Sequence, residues 1–572
     1  MIASIPPGMI LIGGGLLVAL LPRRWRAVAT VLVPALSFAQ LLTLEPGTSY
    51  HMQLFGAQLT MVRVDRLSLL FGYIFHIAAI LGAIYAVHVQ DRLQQVSVML
   101  YIGTAIGAVF AGDLLTLFVY WELTAVTSVF LVWAGRTERA FRAGIRYLVI
   151  QVASGVLLLA GAVVQYWGTG SVVFDKLIGA DGLLRSAGPG VLLIFFAFGI
   201  KAAFPLLHNW LQDAYPESTA TGTVFLSIFT TKLAIYALAR AFPGTTVLIW
   251  IGAIMAAFPI FYAVIENDLR RVLAYSLNNQ LGFMVAGIGI GTAMAVNGAV
   301  AYAFVNIIFE GLLFMAMGAV LDRTGTIKGS ELGGLYKSMP LTTAFCIVGA
   351  ASISGFPFLN GFVTKGLILD GVALGGWIGP WVVLLFASAG VFHHAGIKIP
   401  YFAFFAHDSG IRVKEARVNM LLAMGAMAAL CIGIGLYPKP LYHVLPFPAE
   451  YHPYTLTHVI TMYQLLLFSA LAFTVLKRTG IYPPELRSVN LDSDWVYRKL
   501  GPALVGYSMA VGGAVRDRLA EARNRLLGLA YREVYRLHGP GGLLARTWNT
   551  GAIALLAVLG LWGFLLLYFW SR

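Results

Sequence analysis

Five ionisable side chains sit inside runs of apolar residues where a charge is expensive. Glu122 lies in "DLLTLFVYWELTAVTSVFLVW", Lys201 in "FGIKAAFPLLHNW", Lys232 in "TVFLSIFTTKLAIYALA", Glu310 in "AYAFVNIIFEGLLFMAMGAV" and Lys365 in "GFPFLNGFVTKGLILD". A charge at membrane depth costs about 2.5 to 3.5 kcal/mol even on the mildest scales, so each is a functional candidate. A structural ion pair explains any one of them, but explains a series of five poorly. Lysines and carboxylates without clustered cysteines or metal ligands point to proton transfer. Burial disfavours an ammonium and a neighbouring carboxylate favours it, so moving or neutralising the carboxylate releases a proton. Glu122 with Lys201 is a natural pair of this kind. Pro205 breaks the helix that carries Lys201 and frees backbone groups. His208, with an ordinary pKa of about 6.5, suits a relay beside that break, although a histidine bonded to backbone at a helix end is an equally simple reading.

The elements that must hold these residues are membrane helices. The chain has 572 residues, 59% hydrophobic and 11% charged, with mean hydropathy +0.81, far below the roughly 25% charge of soluble domains. Apolar runs long enough to cross a ~30 Å hydrocarbon core recur throughout. The expected fold is therefore all-α, a polytopic membrane protein of about sixteen transmembrane helices, with one polar, strand-like stretch, "YHMQLFGAQLTMVRVD". Basic residues follow odd-numbered spans (Arg23, Arg24, Arg92, Arg136, Arg139, Arg270, Arg271, Arg412, Lys414, Lys477, Arg478 among them), whereas even-numbered spans are followed by Arg63, Lys176, Arg185, Arg240 and Lys439. By the positive-inside rule the odd loops face the cytoplasm, which places both termini on the outer face of a bacterial-type inner membrane. The net charge of +14 then reflects topology and contact with anionic lipid, and requires no nucleic acid.

Two interrupted helices, one at Pro205 and one at Pro357 and Gly361, mark a duplicated five-helix unit, and an odd repeat length inverts the second copy. The expected divisions are 1–93 for N-terminal helices, 94–240 and 241–406 for the two repeats, and 407–490 for further spans. An amphipathic surface helix follows over 491–540, then an anchor helix over 541–572. In the surface segment Val511, Val515, Leu519, Ala522, Leu526, Leu529 and Val534 fall on one helical face, with Arg516, Arg518, Glu521, Arg523, Arg525 and Arg532 on the remainder. Cys346 and Cys431 read as buried free thiols, and no cofactor or metal is expected. The adjacent His393 and His394 point about 100° apart on a helix and make a poor metal site; a polar lining with Lys398 is the better reading.

These motifs resemble the antiporter-like, proton-conducting subunits shared by respiratory complex I and the Mrp-type cation/proton antiporters. The likeness runs from about Asp65 to Phe405 and rests on "YWELTAVTSVFLV", "GIKAAFPLLHNWLQDAYPES", "ENDLRRVLAYSLNNQLG" and "GFPFLNGFVTKGLIL". It implies an input pair of Glu122 and Lys201, a connecting Lys232, an exit group at Lys365, other membrane subunits as partners, and no enzymatic activity of the chain itself. The expected function is a proton-translocating subunit of a Na+/proton antiporter, similar to the D-type component of Mrp antiporters. The alternatives are a subunit of a complex I-like or hydrogenase-linked redox pump, or a membrane partner of an inorganic-carbon uptake complex. Where the family has a central histidine and lysine, "VNIIFEG" carries Asn306 and Glu310; an ion pair of Glu310 with Lys232 or Lys365 is the favoured arrangement. Arg270 replaces a loop lysine with charge retained.

Overall fold

The computed structural model describes residues 5–54, 57–179, 181–483, 486 and 490–571. The chain divides into two compact units, Met1–Asn490 and Leu491–Arg572. In the first, α1 (Met9–Leu20) and α2 (Arg23–Leu41) precede an antiparallel hairpin of β1 (Ser49–Leu54) and β2 (Ala57–Arg63). This hairpin is the exception to an all-α fold, and it falls on the strand-like stretch. Then follow α3 (Arg66–Ala86), α4 (Arg92–Phe110), α5 (Leu114–Trp133), α6 (Glu138–Thr169), α7 (Gly188–Lys201), α8 (Asn209–Ala214) and α9 (Gly222–Ala241). The chain continues through α10 (Thr246–Ile265), α11 (Leu269–Ile290), α12 (Ala293–Thr324), α13 (Pro340–Ser354) and α14 (Asn360–Leu374). It continues with α15 (Ile378–Phe405), α16 (Val418–Leu436) and α17 (Leu456–Arg478).

Among the described residues eleven helices are long and apolar enough to cross a membrane, and three shorter apolar helices, α1, α7 and α13, accompany them. The sequence count of sixteen also included helices that such a test leaves out. The reasons are local: α7 and α13 are halves of interrupted helices, and α11 carries the polar run Ser276, Asn278, Asn279 and Gln280, all fully buried. Every residue of α9 is buried, as are nearly all of α11 and α12. These three helices form the core, whereas α17 exposes apolar side chains such as Leu467, Phe468 and Leu471. A helix that is apolar all round belongs in an interior or in lipid, and this bundle uses both.

Side-chain caps start many helices. Asp65 and Ser68 form a reciprocal capping box on α3, and Asp113 caps α5 while Asp268 caps α11. The two 32-residue helices α6 and α12 end alike, on Gly170 (φ 71°) and Gly325 (φ 74°), a left-handed position that suits glycine. Isolated bridges join Asp113 to Val173 and Asp268 to Lys328. Each of these pairs of equivalent positions (113 and 268, 170 and 325, 173 and 328) has the same spacing of 155 residues.

The second unit contains a π-helical turn (Val496–Leu500) leading into α18 (Gly501–His538), and then α19 (Thr550–Trp570). At 1.5 Å per residue the 38 residues of α18 extend about 57 Å.

Candidate functional site

Both helix interruptions are built the same way. At the end of α7, Phe204 N donates to Gly199 O (3.0 Å) and Ala203 N to Ile200 O (3.1 Å) around a left-handed Ala203 (φ 60°). At the end of α13, Phe356 N donates to Ala351 O and Gly355 N to Ser352 O, both at 3.0 Å, around a left-handed Gly355 (φ 79°). A turn follows each. Phe204-Pro205-Leu206-Leu207 and Phe356-Pro357-Phe358-Leu359 both close by a bond from the fourth N–H to the first carbonyl. Leu206 (φ 69°) and Phe358 (φ 71°) occupy the third position. Proline at the second position and positive φ at the third define a type II turn, whose third position normally takes glycine. Of the four non-glycine residues with positive φ among the described residues, three lie in these breaks. Such strain persists only where the surroundings impose it.

Lys201 closes α7, where the negative end of a half-helix favours a cation. Its ammonium is fully buried, donates to Trp121 O (3.0 Å) and lies 4.3 Å from the Trp121 ring centroid. The Trp121 indole donates to Ser154 Oγ (3.0 Å), which donates to Ala197 O (2.7 Å), tying α5, α6 and α7 together. Glu122, the next residue, is half-buried with Oε1 enclosed and without a hydrogen-bond partner. Glu122 and Lys201, the pair named from the sequence, interact electrostatically, and the hydrogen bond of the lysine goes to the backbone of α5 one residue before the carboxylate. Gly155 of α6 faces that carboxylate so closely that a Cβ there would sit 1.4 Å from Oε1.

In the centre, Lys232 Nζ donates to Ser227 O (2.9 Å), and Glu310 Oε2 accepts from Asn306 Nδ2 (2.8 Å). Glu310 Oε1 has no partner. Lys232 is the cation that interacts electrostatically with Glu310. Lys365 lies elsewhere: its Nζ donates to Ile353 O (3.0 Å) across the second break, approaches Ser388 Oγ (3.4 Å), and stands 5.2 Å from the Phe283 ring and 5.8 Å from Tyr302. Its ammonium thus caps the last turn of α13, as Lys201 closes α7. Beside Lys365, the Tyr302 hydroxyl donates to Gln280 Oε1, while Gln280 Nε2 donates to Asn279 Oδ1 (2.8 Å). Lys201, Lys232, Glu310 and Lys365 are each at most 1% exposed. His208 is buried at the N-terminus of α8, edge-on to Phe258 at 4.7 Å.

Several polar residues of this interior escaped sequence reading. A hydroxyl cluster joins Tyr101 to Thr230 (2.6 Å) and Tyr147 to Ser128 (2.7 Å), with Tyr215 buried close to Thr230. Tyrosine in an apolar run carries no signal, since its ring satisfies the same pattern as phenylalanine. Gln151, with both amide atoms buried and unpartnered, was visible in principle as the one amide in "YLVIQVASG". Lys398 proves to be a helix-end clamp: within a span wound partly as π-helix, its ammonium donates to the carbonyls of Ala263, Val264 and Glu266 at the end of α10. Among the described residues no group of three or more His, Cys, Asp or Glu side chains converges as a metal site.

The family described as NADH:quinone oxidoreductase/Mrp antiporter, TM matches residues 111–393. The D-type component of the Na(+)/H(+) antiporter of Alkalihalophilus pseudofirmus is 31% identical over 355 residues, covering 59% of this chain and 71% of that protein. The A-type component of the same organism's antiporter is 28% identical over 434 residues, 68% of this chain but 54% of the relative, so the chain spans about half of that longer protein. Among solved structures, one polypeptide of the Mrp complex from Dietzia sp. superposes with TM-score 0.70 at 21% identity, covering 82% of this chain and 99% of that one. One polypeptide of the membrane-bound sulfane sulfur reductase, an archaeal respiratory membrane complex, gives TM-score 0.71 at 22% identity and covers 97% of this chain and 100% of that one. At these identities the superpositions establish the fold.

Proposed function

The chain belongs to the family of antiporter-like membrane subunits shared by NADH:quinone oxidoreductase and the Mrp antiporters, and from that premise we propose that it is a proton-translocating subunit of a multisubunit Na+/proton antiporter, similar to the D-type component, and not itself an enzyme. One observation carries the reading. Lys201, Lys232, Glu310 and Lys365, all enclosed, lie on helices that pack around one interior, and the two carboxylates Glu122 and Glu310 each keep an oxygen with no protein partner. Buried oxygens of this kind demand water or a proton. Glu122 and Lys201 form the input, Lys232 the connection, Glu310 the central group and Lys365 the exit, with His208 as relay at the first break. A change of charge at Glu122 or Glu310 is what tips Lys201 or Lys232 toward release.

The same reading includes two inverted five-helix repeats, α4 to α9 and α10 to α15, within about sixteen spans. The equal lengths of α6 and α12, the constant spacing of caps and bridges, and the matching turns at Pro205 and Pro357 support it. The alternation of basic loops supports termini on the outer face of a bacterial inner membrane. Other membrane subunits of the complex are the partners, contacted in part through α18. A redox-driven complex is the second reading, favoured by the 97% coverage in the superposition on the sulfane sulfur reductase polypeptide. Proton uptake into inverted vesicles tests the first: Glu122→Ala and Lys201→Ala should each remove most cation-coupled uptake in an assembled complex, and near-normal uptake in both would overturn the assignment.

A further inference from the structure

A cavity of about 1000 Å³ lies between α10, α15 and α17, and none of the residues that line it enters the proton route. That volume is at the top of the range for small-molecule pockets, roughly 300–1,000 Å³. Its walls are apolar: Phe261 and Val264 of α10, Phe386 of α15, and Leu465, Phe468 and Leu476 of α17. Phe261 is 63% exposed, Phe386 53% and Phe468 65%. All three helices are apolar enough to span a membrane. The space therefore meets hydrocarbon, and an acyl chain fits its chemistry where water does not.

One end of the groove differs. It finishes at Leu476, Tyr482 and Pro483, beside Lys477 in the last turn of α17. The Lys477 ammonium is held there by two rings, 5.2 Å from Phe402 and 5.6 Å from Tyr482. The His393 ring stacks on Tyr482 at 5.5 Å and lines the groove, and its Nε2 is buried with no hydrogen-bond partner. The neighbouring carboxylate, Glu266, is already engaged by Asn490 (3.1 Å) and Arg271 (3.9 Å) and does not repel an anion at the mouth. An apolar trough with a cation at its end and one unsatisfied ring nitrogen in its lining has the order of parts of a phospholipid: acyl chain, ester, phosphate.

We propose that this groove binds an anionic phospholipid, with its acyl chains between α10, α15 and α17, an ester oxygen at His393 and its phosphate at Lys477. The site is independent of the transport route proposed above, because no residue of that route contributes to it.

Native mass spectrometry of the full chain, released from bilayers of phosphatidylcholine containing phosphatidylglycerol, reads the occupant directly. The wild type should retain phosphatidylglycerol in preference to phosphatidylcholine. A basic side chain near a membrane surface is worth about fivefold, so Lys477→Gln should lower that preference roughly fivefold while phosphatidylcholine is still held. Ala472→Trp, an exposed position on the groove wall, should expel both lipids. Equal retention of the two lipids by the wild type would overturn the headgroup assignment. Retention unchanged by Ala472→Trp, or photo-crosslinking from position 472 to another protein of the complex instead of lipid, would show that the groove is not a lipid site.

Discussion

Replacing Gly155 by alanine tests the role of Glu122 without touching any charge. A Cβ at position 155 would stand 1.4 Å from Glu122 Oε1, 2.4 Å from its Cδ and 3.0 Å from its Cγ. Real Cβ contacts do not fall below 3.0 Å, so the oxygen must retreat by at least about 1.6 Å (from 1.4 to 3.0 Å). The clash is with the flexible end of a side chain, so the helices need not separate. Alanine also gains about 1 kcal/mol over glycine inside a helix, which keeps thermal stability level or raises it. The carboxylate, by contrast, leaves its place beside Trp121 and Lys201. A displacement of 1 Å in a positioned group costs up to about 100-fold in rate, roughly 2.7 kcal/mol. Cation-coupled proton uptake in inverted vesicles should therefore fall by about that factor in a complex of normal assembly and melting temperature. Gly168→Ala is the control, since that glycine lies on the same helix with nothing within 4 Å of an added Cβ. Glu122→Asp in the Gly155→Ala background should recover part of the uptake, because its side chain is one methylene shorter and draws the carboxylate back from the added methyl. Full uptake in Gly155→Ala, or an equal loss in Gly168→Ala, would refute the reasoning.

Glu310→Gln keeps the shape next to Asn306 but removes the charge that faces Lys232, and uptake should be abolished; Glu310→Lys brings two cations together and should also inactivate, so robust uptake by either variant defeats the paired arrangement. Asp65 accepts two bonds from Arg240 (2.8 and 2.9 Å), whose side chain is 5% exposed against 36% for Asp65. Asp65→Asn should lower stability by about 2 kcal/mol, less than the ~3–5 of a fully buried pair, read as a drop in melting temperature. In the loop after α15, Arg412 and Lys337 hold the Asp408 carboxyl well below the ordinary carboxylate range. The folded value lies below the unfolded one, so the loop is secured above pH ~4 and released as the pH falls through the lower, folded value. Hydrogen exchange at Gly410, whose amide donates to Asp408 Oδ1, should then accelerate beyond its intrinsic pH trend, whereas an Asp408→Asn variant should show no such step.

What one sequence determines alone are properties decided within some twenty residues. Spans follow from the cost of exposing backbone to hydrocarbon, and the candidate residues stand out because a charge at that depth is costly wherever the rest of the chain lies. The breaks near Pro205 and Pro357 were signalled by a ring that disfavours a continuing helix, although Pro34 and Pro259 lie inside α2 and α10 and the ring alone does not decide the matter. The bond from Asn306 to Glu310 joins residues four apart on one helix and is local in the same way, although the sequence reading drew only the ion pair of Glu310. Tertiary structure decided the partners. Lys201 and Trp121 are 80 residues apart, and Lys398 clamps carbonyls more than 130 residues away. Neither carbonyl carries a chemical mark in the sequence, because every residue has one. The polar run in α11 is tolerated because α10, α12 and α14 enclose it, and the clearance for Glu122 depends on a hydrogen in place of a methyl at Gly155. Such choices belong to packing, where a few tenths of an ångström between distant segments decide which of many equivalent groups meet.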